Sequence, residues 1–472
     1  MSPGRGRALA GNRRAFVALS AALCAALPGV LAACSSGGSS PHSTDWTVYG
    51  HDLANTRLAP SEKSISAKTV ASLRVAWSSH EPIGVTGTPV VAHGVVYYGD
   101  WAGTVHAVNA KTGSQIWATP GGGTFIASPA VSGDGVFVAS GATLARLDRA
   151  TGKLEWKVTT NDNPAAGIDA SPVVVGHTVL QATASNEEPV AKKVYTFRGS
   201  IGGYDTRTGK ELWRFYTTKD NAQDGPGVGL WSTPAVDTKR KLLYIGSGNA
   251  YSEPTGPLAD SILAIDYRTG KLRWSRQFRK SDVFSAGHPE SNDTDVGASP
   301  NMWTVNGRDL VGAGDKAGEY HALDRDTGRI VWQADLSQGD VFGGALGSGA
   351  FVDDKLIVTS NNGGPTLTAP NTVARVYALD PATGRIVWQA KPLPQKIFGP
   401  VSAVPGVAFV GNTAGTYVAL DTRTGARLWS YQAPSMVGGG ASIVDGRLYW
   451  GYGFVLFQGG GSGGLLAFDV RR

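Results

Sequence analysis

The residues able to do chemistry in this chain are few, and the missing ones narrow the field first. Only two cysteines occur, Cys24 and Cys34. From residue 35 onward there is therefore no disulfide, no thiolate metal site and no cysteine nucleophile. The eight histidines are scattered and contain no His-Glu-x-x-His pair, which gives no support to a zinc hydrolase, and no Cys-x-x-Cys-His exists to attach a haem. What remains is oxygen and nitrogen chemistry: the carboxylates Glu187, Glu188, Asp293 and Asp295, the amide Asn249, the indole Trp231 and the cations Arg198 and Lys316. Each has an ordinary reading taken alone, as a core tryptophan, a turn asparagine, a solvated acid pair or a lysine snorkelling at an edge. Glu187 with Asp293 could also serve as the paired carboxylates of a glycosidase.

The elements that must position these groups form a repeat. Eight times a tryptophan closes a short alternating strand, at Trp77, Trp117, Trp156, Trp213, Trp274, Trp332, Trp388 and Trp429. Seven of these strands follow an Asp or Asn and a Thr-Gly turn (Pro-Ala-Thr-Gly at 381–384), starting from Asn109, Asp148, Asp205, Asp266, Asp324, Asp380 and Asp421. Alternation, turn and alternation again describe an antiparallel hairpin, with glycine where the turn needs positive φ. Two further strands fit the text before the hairpins, from Thr88-Pro, Ser128-Pro, Ser171-Pro and Thr233-Pro onward. Four strands per unit are the blade of a β-propeller. The eighth unit is split, with Leu465-Leu-Ala-Phe-Asp469 at one end of the chain and Leu73-Arg-Val-Ala-Trp77 near the other. The expectation is an all-β, eight-bladed propeller of four-stranded antiparallel blades over residues 45–472, its last blade sealed by N- and C-terminal strands so that no sheet edge stays open. No linker interrupts the repeat, which argues against two smaller propellers. The hairpin aspartates are expected to bond turn amides rather than to react. The tryptophans of the middle blades are spaced 56 to 61 residues apart against 39 to 41 elsewhere, so insertions, and the candidate residues, concentrate there.

The N-terminus reads as an address. Arg5, Arg7, Arg13 and Arg14 precede an apolar stretch from Ala15 to Ala33, and Leu31-Ala-Ala-Cys34 then gives way to a Ser/Gly run. Residues 1–33 are expected to be a secretory signal, and the ending resembles the lipobox of bacterial lipoproteins. That implies lipidation of Cys34, a flexible tether over 34–44 and a location on the outer face of the cell membrane, held by the lipid anchor only. Arg13-Arg14-Ala-Phe16-Val also resembles a twin-arginine export signal. Without the leader the formal charge falls from +6 to +2. No basic cluster remains, which argues against nucleic acid as a partner.

The Asp-x-x-Thr-Gly-x-x-x-Trp unit resembles the repeat of the pyrroloquinoline quinone (PQQ) propellers. The segment from Asp45-Trp-Thr-Val-Tyr-Gly through Arg57 to Trp77 resembles the start of the quinoprotein alcohol dehydrogenases, with the nearest likeness to polyvinyl-alcohol-dehydrogenase-type propellers over essentially the whole mature chain. The resemblance implies a PQQ- and calcium-dependent dehydrogenase of alcohols, polyols or sugars that passes electrons to an external acceptor. Residue by residue it implies that Trp231 stacks on the quinone and that Asn249, in Gly-Ser-Gly-Asn, is an amide ligand of calcium. Ser185-Asn-Glu-Glu188, followed by Thr196-Phe-Arg198-Gly, resembles the segment of the calcium-binding glutamate, with Glu187 preferred and Glu188 kept open. Asp293-Thr-Asp295 resembles the segment of the catalytic base, Asp293 being the base at the metal and Asp295 its neighbour at the cofactor. Lys316, in Gly-Asp-Lys-Ala-Gly, matches the lysine that contacts the quinone, and Arg198 is assigned to the cofactor. A second reading is a non-catalytic propeller lipoprotein that serves as a binding or assembly scaffold, which needs the tryptophan repeat but no inward cluster of acids, amide and lysine. A propeller glycosidase ranks third.

Overall fold

The computed structural model describes residues 44–219, 223–290, 293–362, 371–453 and 462–470. The leader, Cys34 and most of the expected tether lie outside the described residues.

Among the described residues, eight antiparallel sheets follow one another in order, six with four strands and two with a short fifth. Blade 1 comprises Val90–Ala92, Val95–Gly99, Thr104–Asn109 and Gln115–Pro120; blade 4, Ala235–Asp237, Leu242–Gly246, Ser261–Asp266 and Lys271–Gln277; blade 5, Asn301–Val305, Arg308–Gly314, Glu319–Asp324 and Ile330–Asp335. Blades 3 and 6 carry a short extra pairing, from Ala166–Gly167 and Leu393–Pro394. In blade 8 the outermost strand is Leu73–Ser78, which pairs antiparallel with Gly464–Val470. The expected closure by the two ends of the chain is thus the closure observed.

The hairpin text does two jobs. Asp148 illustrates the first: its Oδ1 accepts from the Thr151 N–H at 2.8 Å, while its carbonyl accepts from the Gly152 N–H at 2.8 Å. The second job joins blades. Trp117 donates its Nε1–H to the Arg149 carbonyl of blade 2 at 3.0 Å, and Trp213 donates likewise to Tyr267 of blade 4. Each ring lies flat against the turn glycine of the next blade: a Cβ on Gly270 would stand 2.6 Å from the Trp213 ring, and one on Gly152 equally close to Trp117. The glycine is required by its φ, +70° at Gly270, and again by the indole that covers its Cα.

Two devices around the axis tie the blades at their inner ends. Hydroxyls at the start of the innermost strands, of three Ser/Thr-Pro dipeptides and of Ser348, form a chain in which Ser128 N–H donates to Ser171 Oγ, Ser171 N–H to Thr233 Oγ1, Thr233 N–H to Ser299 Oγ and Ser299 N–H to Ser348 Oγ, all at 2.8–3.0 Å. The segment 46–57 then runs past the innermost strands. The carbonyls of Trp46, Thr47, Leu53, Ala54, Thr56 and Arg57 accept in turn from Val91, Val131, Val236, Met302, Phe351 and Ala403, in blades 1, 2, 4, 5, 6 and 7. Arg57, fully buried, stacks on Tyr49 at 4.7 Å and donates to the Val401 carbonyl and Ser402 Oγ. The opening segment is thus a strap across the axis.

Gly270→Ala should cost roughly 2–4 kcal/mol, from left-handed backbone strain plus overpacking against Trp213. Gly133→Ala, at φ +59° with nothing within 4 Å of the new Cβ, should cost only about 1 kcal/mol. Urea midpoints of the two variants check this, and equal losses would contradict it.

Candidate functional site

Blades 3 to 6 carry the insertions, and loops from three of them, blades 3, 4 and 5, bring the candidate residues together. Trp231 precedes the innermost strand of blade 4, Asn249 follows its second strand, Asp293 and Asp295 lie between blades 4 and 5, and Lys316 follows the second strand of blade 5. Lys316 is 9% exposed, so it does not snorkel. Its Nζ lies 2.7 and 2.6 Å from the two oxygens of Asp293 and 2.6 Å from Asp295 Oδ2, and 5.6 Å over the face of the Trp231 ring. The other oxygen of Asp295 accepts from the Asn249 N–H at 2.6 Å, and its carbonyl accepts from the Lys316 N–H at 2.9 Å. One aspartate therefore fixes both the amide residue and the lysine. Trp231 keeps part of its ring exposed, and the rest packs on Gly297, where a Cβ would be 1.9 Å away.

Asn249 is fully buried and donates both Nδ2 hydrogens, to the carbonyls of Ala250 and Phe284, each at 2.7 Å. Its Oδ1 has no protein partner. A buried amide oxygen held in place and left unpaired is costly unless something else uses it. A hard cation, which takes oxygen ligands, would satisfy it.

The electrostatics point the same way. Around the single ammonium of Lys316 stand Asp293, Asp295 and Glu188, and Asp282 and Asp169 add to the field at Glu188. Burial raises Asp293 well above the usual carboxylate range although Lys316 pulls it down, and Asp295 and Glu188 raise it further. Lys316 stays charged: burial lowers its affinity for the proton, but Asp293, Asp295 and Glu188 more than offset that. Burial pushes Glu188 up to about 7 and Asp169 up to about 6. Asp169 remains accessible to water, so protein surrounds it without sealing it, as in a recess. The negative groups outnumber the one lysine, and either protons or a metal ion must balance them.

Two sequence expectations need correction. Glu187 does not face this group. Its Oε2 accepts from the Phe197 and Thr196 amides at 2.8 and 2.9 Å, and its Oε1 from Lys192 at 2.9 Å, so both oxygens are used in folding the 187–197 loop. Despite burial, those donors hold its carboxyl below the usual range. Glu188 is the neighbour that senses Lys316 and Asp295. The same finding removes Glu187 from a glycosidase pair with Asp293. Arg198 is likewise directed elsewhere: it lies 4.4 Å over the Tyr216 ring and donates from Nε to the Thr218 carbonyl at 3.2 Å.

Sequence reasoning missed the supports. Asp282 holds Thr294, between the two aspartates, through the N–H at 2.8 Å and the hydroxyl at 2.5 Å. Asp315 orients the turn of Lys316, with Oδ1 on the Glu319 N–H and Oδ2 2.8 Å from His321 Nε2. Gln333 donates to His321 Nδ1 at 2.9 Å, so Nε2 carries the proton and is spent on Asp315, and the Asp315–Glu319–His321 group is a support rather than a metal centre. A signal for it existed: Asp-x-x-Gly-x-x-His occurs twice, at Asp100 to His106 and Asp315 to His321, with the same carboxylate–imidazole contact.

Comparison with known proteins bears on this arrangement. Residues 46–341 match the family described as glucose/ethanol/alcohol dehydrogenase, beta-propeller domain, and residues 316–472 match the family described as outer membrane protein assembly factor BamB. A polyvinylalcohol dehydrogenase of a Pseudomonas species is 28% identical over 467 residues, covering 86% of this chain and 72% of the relative. The quinohemoprotein alcohol dehydrogenase of Comamonas testosteroni is 24% identical over 525 residues, 86% of this chain and 72% of the relative. The crystal structure of the Comamonas testosteroni protein superposes with a TM-score of 0.76 at 21% identity, over 90% of this chain and 80% of that one, and BamB from Moraxella catarrhalis with 0.57 at 16%, over 84% and 99%. By the match over residues 46–341, this chain belongs to the glucose/ethanol/alcohol dehydrogenase β-propeller family.

Proposed function

We propose that the protein is a PQQ- and calcium-dependent dehydrogenase that oxidises an alcohol, polyol or sugar hydroxyl and hands the electrons to an external acceptor. The observation that carries this reading is the convergence of Trp231, Lys316, Asp293, Asp295 and the unpaired Asn249 Oδ1 in one buried group. A scaffold propeller has no use for such a group. When bound, the quinone supplies a two-electron acceptor for hydride.

The chain's own residues do the rest. The Trp231 face gives a flat aromatic surface for a planar ring. Lys316, kept charged by its carboxylates and 5.6 Å over that indole, would stabilise negative charge on a quinone held there. Asn249 Oδ1, Glu188 and Asp293 would offer oxygens to a calcium ion. Asp293 is the base that takes the hydroxyl proton: burial raises its proton affinity, Lys316 opposes that rise, and Asp295 and Glu188 add to it. Asp295 anchors Asn249 and Lys316 and so sets the spacing between them. For the anchor, the proposal is a lipid on Cys34 at the outer face of the membrane. Among the described residues no helix is long and apolar enough to cross one.

The chain from Ser35 onward is expected to bind PQQ saturably, one to one and only with calcium, in a titration followed by quinone absorbance. Trp231→Ala should abolish the binding, and Asp293→Asn should keep it while losing turnover with an artificial acceptor. No binding at tens of micromolar, which would still detect a site of about −6 to −7 kcal/mol, would favour the scaffold instead. Calcium affinity should rise between pH 6 and 8, because protons and calcium compete for Glu188 and its carboxyl releases its proton at about 7. Glu188→Gln should flatten that dependence, and an unchanged pH profile would remove Glu188 from the site. Cys34→Ser should move the full-length protein from the membrane to the soluble fraction on cell fractionation, whereas unchanged membrane association would contradict the lipid anchor.

A further inference from the structure

Asp260 stands where three of the blades place a glycine with left-handed backbone. In blades 1, 5 and 7 the residue before the third strand is Gly103, Gly318 or Gly415, with φ of +92°, +90° and +80°. Each of those carbonyls accepts from the N–H just beyond the fourth strand, at Gly121, Leu336 and Ala433. In blade 4 the same position, with the same carbonyl bond from Phe278, is Asp260 at φ +48°. A side chain there strains the backbone. This one is also fully buried, and neither carboxyl oxygen has a hydrogen-bond partner among the described residues. Two penalties at one residue, at a position that blades 1, 5 and 7 fill with glycine, mark a place where local stability is given up for a ligand.

Its surroundings identify the ligand's chemistry. The Asp260 N–H donates to the Gly248 carbonyl at 3.1 Å, so this residue's backbone sits beside the turn that presents Asn249. Burial holds that carboxyl well above the usual range, with Asp295, Asp282 and Asp293 adding to the effect and Lys316 opposing it. Two sets of buried oxygens without partners, those of Asp260 and Asn249 Oδ1, therefore belong to neighbouring, hydrogen-bonded stretches of chain. Both lack a donor, and a hard cation meets both needs at once.

We propose that Asp260 is an oxygen donor to the cation of this site, adding its carboxylate to Glu188, Asn249 and Asp293. The assignment rests on the cofactor reading above and extends it with a residue outside the segments that resemble the family's ligands. It also gives a reason for a buried carboxyl at a position that blades 1, 5 and 7 fill with glycine.

The test compares wild type with Asp260→Gly and Asp260→Asn by calorimetric titration with calcium chloride, alone and with PQQ, and by thermal melting without calcium. Both variants are expected to bind calcium at least about tenfold more weakly. Asp260→Gly, which installs the residue that blades 1, 5 and 7 carry, should melt without calcium at or above the wild-type temperature. Wild-type calcium affinity in both variants overturns the assignment while leaving the cofactor reading in place. Weaker binding accompanied by a lower melting temperature in Asp260→Gly also overturns it, since that is the mark of a structural residue. Absence of calcium binding by wild type, with and without PQQ, overturns the cofactor reading and this assignment together.

Discussion

The contact of an indole with the bare Cα of a turn glycine in the next blade is what the rest of this molecule depends on. It recurs from Trp77 on Gly113 to Trp388 on Gly425. The ring fits only because no Cβ intervenes, and its N–H reaches a carbonyl of the same turn, so each contact fixes both the separation and the rotation of adjoining sheets. Repeated around the circle, that fixed step brings the C-terminal strand Gly464–Val470 against Leu73–Ser78 and completes the eighth blade. The inner ends of the sheets are then close enough for the Ser/Thr hydroxyl chain and for the strap over residues 46–57.

A ring so constrained can hold charges that a looser structure would expel. Lys316, Asp293 and Asp295 come from blade 5 and the segment that enters it, Asn249 and Trp231 from blade 4 and Glu188 from blade 3, and none could keep its place without the others. Asp295 is the centre of that arrangement, because it fixes Asn249 through one oxygen and Lys316 through the other. The remaining carboxyls are poised high by burial and mutual repulsion. Such a group is a poor stabiliser of the empty protein and a good receiver of a cation.

The repeat, the hairpin turns, the eight-fold count and the closing strand were all legible in the sequence, since Asp, Thr-Gly and Trp sit at fixed intervals and each has a local physical reason. Trp231, Asn249, Asp293, Asp295 and Lys316 were legible as segments, and the fold gathers all five. The choice between Glu187 and Glu188 was not. The two follow the end of a strand, where alternation stops, and which one turns inward depends on the amides of Thr196 and Phe197, nine and ten residues later. Arg198 was misplaced for a similar reason, because its partner is the Thr218 carbonyl at the far end of the blade 3 hairpin. Asp260 was invisible until the blades could be laid over one another strand by strand. The strap role of Trp46 to Arg57 needs the closed circle before it has any meaning.

The central claim is that this end of the axis is a cofactor site with a cation at its base. A crystal structure of the chain from Ser35 onward, grown with calcium and PQQ, tests it most directly. The expected result is the quinone against the Trp231 face beneath Lys316, and calcium at about 2.3–2.6 Å from Asn249 Oδ1 and Glu188, with Glu187 still bound to Lys192. A quinone absent from that face, or calcium held by other residues while Asn249 Oδ1 stays unpaired, would contradict it.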